Sequence, residues 1–307
     1  MSVLCLGEAI VDLVCEQASA DLSEARAFVP HAGGAVANAA VVAARCGAEV
    51  SLAGGVGEDA WGRWLEERLR AERVDLRWLS RVKGLATPVA FVTVDELGEP
   101  SFNVYGHGIE AGVASLAETI DEAIASARAL LIGSNTLLGD TERAVSLDAR
   151  RLAVAQGKPF FFDPNLRVHR WPDKASMVAL ARDLCDGALL VKVNREEAFL
   201  LAGESDPAVA AETICRLGAS VAVVTLGPDG ALARGSIRVD VPGVPAQVVD
   251  ATGAGDVVTG VLVAALAASS FAPAAIGDAL AFAVEAAARS TEGWGAVDAL
   301  PPLAAFT

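Results

Sequence analysis

The sequence predicts an α/β protein: a doubly wound, mainly parallel sheet with helices on both faces and a small β-sheet lid. Three observations predict it. Helical and strand-like stretches alternate regularly from Leu116 onward. The chain opens on a short apolar run, Ser2 to Gly7, that reads as a buried strand. Two pairs of short extended pieces interrupt the alternation in the first third of the chain.

The elements follow in order. After Ser2–Gly7, Val11–Cys15 and Ala27–Val29 are extended pieces around a polar connection. Gly33-Gly34 then lead into a helix that ends near Cys46-Gly47. Glu49–Gly54 reads as a strand, and Gly54 to Asp59 turn into a helix from Ala60 to about Arg73. Pro88–Val94 and Ser101–Tyr105, joined by Asp95 to Pro100, carry a hairpin signal. The alternation then gives helix Leu116–Ala127 and strand Ala129–Gly133, helix Asp140–Gln156 and strand Pro159–Asp163, helix Asp173–Leu184 and strand Ala188–Val193. Short helices from Arg195 and Pro207 precede strand Ser220–Thr225. Ala231–Arg234 and Ser236–Val241 form an antiparallel hairpin at one edge, and helices at about 254–269 and 273–290 close the chain. Residues 1–307 are expected to be a single domain, with lid inserts at approximately 11–31 and 86–107.

Composition narrows the function. Hydrophobic residues make up 53% of 307, enough for a sizeable core. No apolar run reaches the ~18 uncharged residues of a membrane span, and no cleavable leader is visible, so a cytoplasmic protein is expected. The five scattered cysteines form no CxxC, against a disulfide framework or a zinc site. A net charge of −15 disfavours nucleic acid and anionic membranes as partners. An anionic substrate must therefore be met by backbone amides, a metal ion or a few placed basic residues.

The stretch from Val249 to Asp256 is the richest in chemistry. An extended run, a turn at Gly253 to Gly255 and a long apolar helix aim free N–H groups at one spot, where the helix dipole also favours an anion such as phosphate. Asp256 in the first turn is placed to take a proton from the group that attacks the bound phosphate. Its rival role is an ordinary N-terminal helix residue. Other polar residues collect at the ends of the predicted strands, the binding edge of such a sheet. Asp12 could accept hydrogen bonds from a polyol, or simply cap a turn. Asn38, one turn into its helix, could present its amide to a sugar hydroxyl. Asn194 and Glu197, three apart, could hold hydrated Mg²⁺ or orient phosphate oxygens, or form a capping box. Arg167 offers charge to a phosphate or a substrate oxygen, and Thr225 and Gly227 could line a nucleotide.

Together these stretches resemble the PfkB/ribokinase family of sugar kinases. The motifs run in the family's order over nearly the whole chain: Gly7-Glu8 with Asp12, Gly33-Gly34 with Asn38, Asp163-Pro164-Asn165-Leu166-Arg167, Asn194 with Glu197, Thr225-x-Gly227-x-x-Gly230, and Gly253-Ala254-Gly255-Asp256. The resemblance implies a ribokinase-like fold and phosphoryl transfer from ATP to a sugar hydroxyl. It makes Asp256 the catalytic base and the amides of Gly253, Ala254 and Gly255 an anion hole. It assigns Asp12, Gly34 and Asn38 to the sugar, Asn194 and Glu197 to Mg²⁺ and phosphate, and Thr225, Gly227 and Gly230 to ATP. It also implies a monovalent cation such as K⁺ near Asp250 and Thr252, with carbonyls around Ser290, Gly293 and Gly295. No Walker A motif is present.

Within the family, Ala35 stands where members acting on phosphorylated sugars, and ribokinase, usually have Lys. That feature, with Trp171 after Arg167, is similar to the fructokinase and 2-keto-3-deoxygluconate kinase branch, so an unphosphorylated hexose or keto sugar is expected. The branch often has Arg after the Tyr of the second lid strand, whereas Tyr105 is followed here by Gly106 and His107. Tyr105 and Arg167 are expected to touch the sugar, with His31 and His107 on the lid edge. The alternatives are a nucleoside or ribose kinase of the same fold, a nicotinamide-dependent oxidoreductase, for which the G-x-G-x-x-G fingerprint is missing, and a non-catalytic sugar- or nucleotide-binding module. An open lid edge makes a homodimer one further expectation.

Overall fold

A computed structural model describes residues 2–19, 21–106 and 108–306. Among them the chain forms a nine-stranded sheet and a separate four-stranded sheet. The large sheet uses β1 (Val3–Leu6), β4 (Val50–Gly57), β5 (Asp75–Val82), β8 (Ala129–Gly133), β9 (Phe160–Asp163), β10 (Leu190–Asn194), β11 (Val221–Thr225), β12 (Gly230–Gly235) and β13 (Val239–Pro242). Its spatial order is β13-β12-β11-β10-β9-β8-β1-β4-β5. All neighbours are parallel except β11–β12 and β12–β13, the latter being the expected edge hairpin. The small sheet uses β2 (Ile10–Val14), β3 (Val29–Gly33), β6 (Val89–Val94) and β7 (Pro100–Tyr105), in the order β3-β2-β6-β7.

Parallel strands buried on both faces need apolar side chains on both, and β1 shows this by alternation. Val3 and Cys5 join one core with α1 (Ala35–Arg45), α2 (Ala60–Ala71), α9 (Ala254–Ala268) and α10 (Ala274–Ser290). Leu4 and Leu6 join the other, with α4 (Ile120–Ser126), α5 (Asp140–Ala155), α6 (Lys174–Cys185), α7 (Arg195–Ala202) and α8 (Pro207–Arg216). The small sheet has its own apolar face of Ile10, Val14, Ala90, Val92 and Val94, closed by Ile109 of α3 (Gly108–Ala114). Consecutive strands run outward from β1 towards β5 on one side and from β8 towards β13 on the other. The crevice beyond the C-terminal ends of β1 and β8 is thus the topological switch point, where such sheets bind ligands.

The structure corrects several boundaries. Asp75–Val82 is a strand that the hydrophobic pattern did not reveal, because this edge strand carries Arg77 and Arg81, the latter paired to Glu66 at 2.5 Å. Leu116–Ala127 splits: the helix begins at Ile120, and an unexpected helix occupies Gly108–Ala114. Gly54, Gly55 and Gly57 lie inside β4 rather than in a turn, since Gly55 backs directly onto Gly112 of α3. The two extended pairs join into one sheet because β2 and β6 pair in parallel, Asp12 opposite Ala90. The turn between β6 and β7 also reaches the segment before α9. Ala251 N–H donates to Gly98 O at 2.8 Å, and a Cβ on Gly98 would come within 2.4 Å of Val248 Cγ1.

Candidate active site

The N-terminus of α9 is built by its glycines. Gly253 caps the helix at φ 75, a left-handed conformation that Gly adopts without strain, and a Cβ there would strike Ala296 Cβ at 2.3 Å. Intrahelical bonding begins with Val257 N–H to Gly253 O at 2.9 Å. First-turn amides lie ahead of that ladder, and Ala254 N–H makes only a long 3.3 Å bond to Ala251 O. Lys192 Nζ rises beneath Gly255, 2.8 Å from where a Cβ would stand, so a side chain there would push the ammonium aside. Buried Lys192 ion-pairs with Asp163 at 3.2 Å, and Thr259 Oγ1 donates to Asp163 Oδ2 at 2.5 Å. Burial pulls the Lys192 ammonium down, but the charges of Asp163, Glu197 and Asp256 outweigh it and raise its pKa. A fixed positive charge therefore underlies the turn that the resemblance reads as an anion hole.

Asp256 is buried, and Asn38 Nδ2 donates to its Oδ2 at 2.8 Å. Desolvation first, then the charge of Asp163, pushes its carboxyl up to about 7, against the pull of Asn38, Lys192 and Arg167. A carboxyl near neutrality at a helix N-terminus is suited to accept a proton. Asn38, expected at a sugar hydroxyl, is thus also the group that orients Asp256.

The residues expected at the sugar gather at the small sheet. Asp12 projects from β2 with Oδ1 buried and unpartnered. Burial, then the charge of Asp256, pushes it up to about 8; Asp250 and Glu8 add to this while His31 opposes it. Gly33 makes room for it, as a Cβ there would overlap the Asp12 carboxylate at 2.0 Å. Gly34, at φ 102, caps α1 against Glu8 O, so the glycine pair serves close approach. Arg167 reaches back over the Phe102 ring at 5.5 Å, linking the β9 loop to the small sheet. His31 is clamped between Asp298 (2.8 Å) and Glu16 (3.0 Å), fastening β3 to the C-terminal segment.

Tyr105 is not on that face. The register pairs Asp12 with Ala90 and Ala90 with Val104, so Asp12, Ala90 and Val104 share one side and Tyr105 lies on the other. It is 56% exposed and packs edge-on against Phe91 at 5.6 Å. Tyr105, expected at the sugar, thus lies on the face of the small sheet opposite Asp12, and Phe102 and Val104 take the Asp12 side. His107 falls outside the described residues.

The remaining sites are placed as follows. Asn194 and Glu197 form the capping box of α7: Glu197 N–H donates to Asn194 Oδ1 and Asn194 N–H to Glu197 Oε2, both at 2.9 Å. Asn165, in the left-handed region at φ 45, turns Leu166 N–H onto Glu197 Oε1 at 2.5 Å. With both oxygens on amides, Glu197 would reach a Mg²⁺ only through water. Thr225 ends β11 with Oγ1 near Val193 O at 3.4 Å; Gly227 opens the next turn and Gly230 closes it at φ 100. Asp250 is fully buried, accepting Thr252 N–H and Gly295 N–H at 2.9 Å each. Thr252 Oγ1 is buried without a partner beside it, and Ser290 is fully buried nearby in sequence to Gly293 and Gly295. Among the described residues no group of three or more His, Cys, Asp or Glu could hold a metal ion, and no helix is long and apolar enough to cross a membrane.

Sequence reasoning gave Lys192 and Thr259 no role and named Asp163 only as part of a motif. The available signal was a lone Lys inside the otherwise apolar strand Leu190–Val193, since a charge is buried only when paired. It also passed over Asn135 and Arg170, which link to Glu8.

Residues 1–302 match the family model described as pfkB family carbohydrate kinase. Among curated proteins, a probable fructokinase-7 of Arabidopsis thaliana is 31% identical over 98% of this chain and 90% of its own length. Fructokinase-1 of Oryza sativa is 35% identical over 85% of this chain and 81% of its own length. Among solved structures, a fructokinase of Vibrio cholerae O395 with fructose, ADP and calcium ion bound superposes with a TM-score of 0.84 at 30% identity, covering 98% of this chain and 96% of that one. Aminoimidazole riboside kinase from Salmonella enterica, with aminoimidazole riboside and an ATP analog, gives 0.81 at 26% identity, covering 98% and 97%.

Proposed function

Since the chain belongs to the pfkB family of carbohydrate kinases and phosphorylates a sugar at the expense of ATP, we propose that its acceptor is an unphosphorylated sugar of the fructose kind. The observation that carries this is the pairing of two buried carboxylates. Asp256 stands at the α9 N-terminus, and Asp12, whose proton affinity is raised by burial and then by the charge of Asp256, holds an unpartnered oxygen. A sugar hydroxyl donated to Asp12 would satisfy that oxygen, while the reacting hydroxyl gives its proton to Asp256. The first-turn amides at Gly253 to Gly255, with Lys192 beneath, would meet the transferring phosphoryl group. Asn38 and Arg167 would hold sugar and base in line. ATP would lie along the β10 and β11 ends, by Asn194, Thr225, Gly227 and Gly230, and Mg²⁺ would neutralise its phosphates, touching Glu197 through water. Thr252 Oγ1 is the free ligand that a K⁺ ion beside Asp250 would use. The small sheet, with inserts at about 11–31 and 86–107, is read as a lid on one 307-residue domain that excludes water. We read the enzyme as cytoplasmic, and the charge of −15 supports small-molecule partners, with neither nucleic acid nor membrane among them. A homodimer through the lid edge belongs to the same proposal.

A coupled ADP-release assay tests this with fructose, 2-keto-3-deoxygluconate, ribose, adenosine and fructose phosphates, with and without K⁺. Fructose or a related free keto sugar should give the highest kcat/KM. Preference for a riboside would favour the second reading, which rests on the likeness to the Salmonella enzyme. Absence of ADP formation with every free sugar would reject the proposal.

A further inference from the structure

We propose that Glu8 is a specificity-determining residue: its free carboxylate oxygen accepts a hydroxyl of the acceptor sugar and turns away acceptors that carry a negative charge there. This rests on the proposed free-sugar reading. Glu8 follows β1 and Asn135 follows β8, so the two bracket the switch-point crevice. Glu8 is 3% exposed, and its oxygens differ. Oε1 accepts Ala35 N–H at 3.0 Å and Asn135 Nδ2–H at 2.9 Å. Oε2 is buried without a partner. Glu8 is close enough to Asp12 for its charge to raise that group. A second buried oxygen without a partner, Glu8 Oε2, therefore stands in the neighbourhood of the first, Asp12 Oδ1.

The residues behind Glu8 hold it in place. Arg170 donates through one guanidinium nitrogen to Asn135 Oδ1 at 3.0 Å and pairs through the other with Glu110 at 3.3 Å. Glu110 sits in the first turn of α3, whose Ile109 closes the core of the small sheet. The relay Glu8–Asn135–Arg170–Glu110 thus runs from the crevice to the floor of the small sheet. Arg170 and Asn135 are positioning residues in this account. Arg170 faces Asn135 and Glu110, and its charge is not left free for an anionic substrate.

The chemistry of Oε2 selects the partner. A carboxylate oxygen only accepts, so what satisfies it must donate, and a sugar hydroxyl does. A sugar acid or sugar phosphate at this end would set a second anion against Glu8 and Asp12. A metal ion is disfavoured by the Arg170 guanidinium, and no metal-binding group of acids forms among the described residues. The class implied is an uncharged, hydroxyl-rich acceptor.

Glu8→Gln tests this cleanly, because the amide oxygen keeps both donations at Oε1 while an NH₂ replaces the accepting oxygen. Expected is a rise in KM for fructose of about ten- to a hundred-fold, the usual range for a lost charge-assisted bond. KM for ATP and the melting temperature should stay put. Among monodeoxy fructoses, one should be poor for the wild type and no poorer for E8Q. The ratio of kcat/KM for fructose over 2-keto-3-deoxygluconate should narrow in E8Q. Arg170→Leu, which leaves Glu8 intact, should raise fructose KM by a smaller factor with kcat for saturating sugar kept. Unchanged fructose KM in E8Q, or an equal penalty with every deoxy sugar, overturns the role of Glu8. A wild type inactive on all free sugars instead overturns the acceptor reading, and this inference with it.

Discussion

Asp256→Asn separates stability from chemistry. The substitution keeps shape and keeps an oxygen for Asn38 Nδ2 to donate to, but removes a buried charge. Asp256 has its proton affinity raised from 3.8 to about 7. A raised carboxyl contributes its full stability below the unfolded value, and that stability is lost as pH climbs through the folded one. Ionising Asp256 in the fold thus costs progressively more between pH 3.8 and about 7, then levels off. The gap of roughly three units at 1.36 kcal/mol each is about 4 kcal/mol at pH 8, an upper bound because Lys192 and Asp163 readjust when the charge goes. Half of that would lift the melting temperature by roughly 3 °C in a protein of this size. The variant should therefore melt higher than wild type at pH 8 and nearly level with it at pH 4.5, read by differential scanning fluorimetry. Turnover should meanwhile fall by about 10²–10⁴, the usual contribution of a positioned base. An Asn variant no more stable than wild type at pH 8, or a difference independent of pH, would refute the burial argument. Turnover within a few-fold of wild type would refute the assignment of the base.

Two further outcomes follow from the same geometry. The free-enzyme pH profile of kcat/KM should rise with pH through about 7 and 8, as Asp256 and Asp12 become carboxylates that can accept; a flat profile from pH 5.5 to 9 contradicts both roles. Gly253→Ala forces a side chain into φ 75 and onto Ala296, so it should cost at least about 1–2 kcal/mol and sharply reduce turnover; an unchanged melting temperature would show that the turn is not as tight as described.

The turn at Gly253 to Asp256 was legible in the sequence because its parts are neighbours in the chain. A glycine turn followed by a long apolar helix fixes the direction of the Gly253 to Asp256 amides whatever surrounds them. Lys192 was not legible, because its meaning depends on β9 lying beside β10 and on Gly255 passing overhead. Tyr105 shows a different limit. Composition marks β7 as a strand, but the face a residue occupies depends on register, and a shift of one residue exchanges Tyr105 for Val104. The edge strand β5 was hidden by its arginines, whose ion pairs lie with residues of another element. Asn194 and Glu197 bear out a capping box without removing them from the nucleotide end, since a cap on a helix beside β11 is itself a way to place amides.

The bond between Ala251 N–H and Gly98 O has a mechanical meaning. It ties the tip of the β6–β7 hairpin to the loop two residues before Gly253, a span that no acceptor or nucleotide has to bridge. The small sheet and the turn at Gly253 are thus joined through backbone as well as through side chains. That joint falls at a position whose φ of 83° and whose closeness to Val248 both favour glycine, so the hairpin tip and the start of α9 keep their spacing through a residue with no side chain.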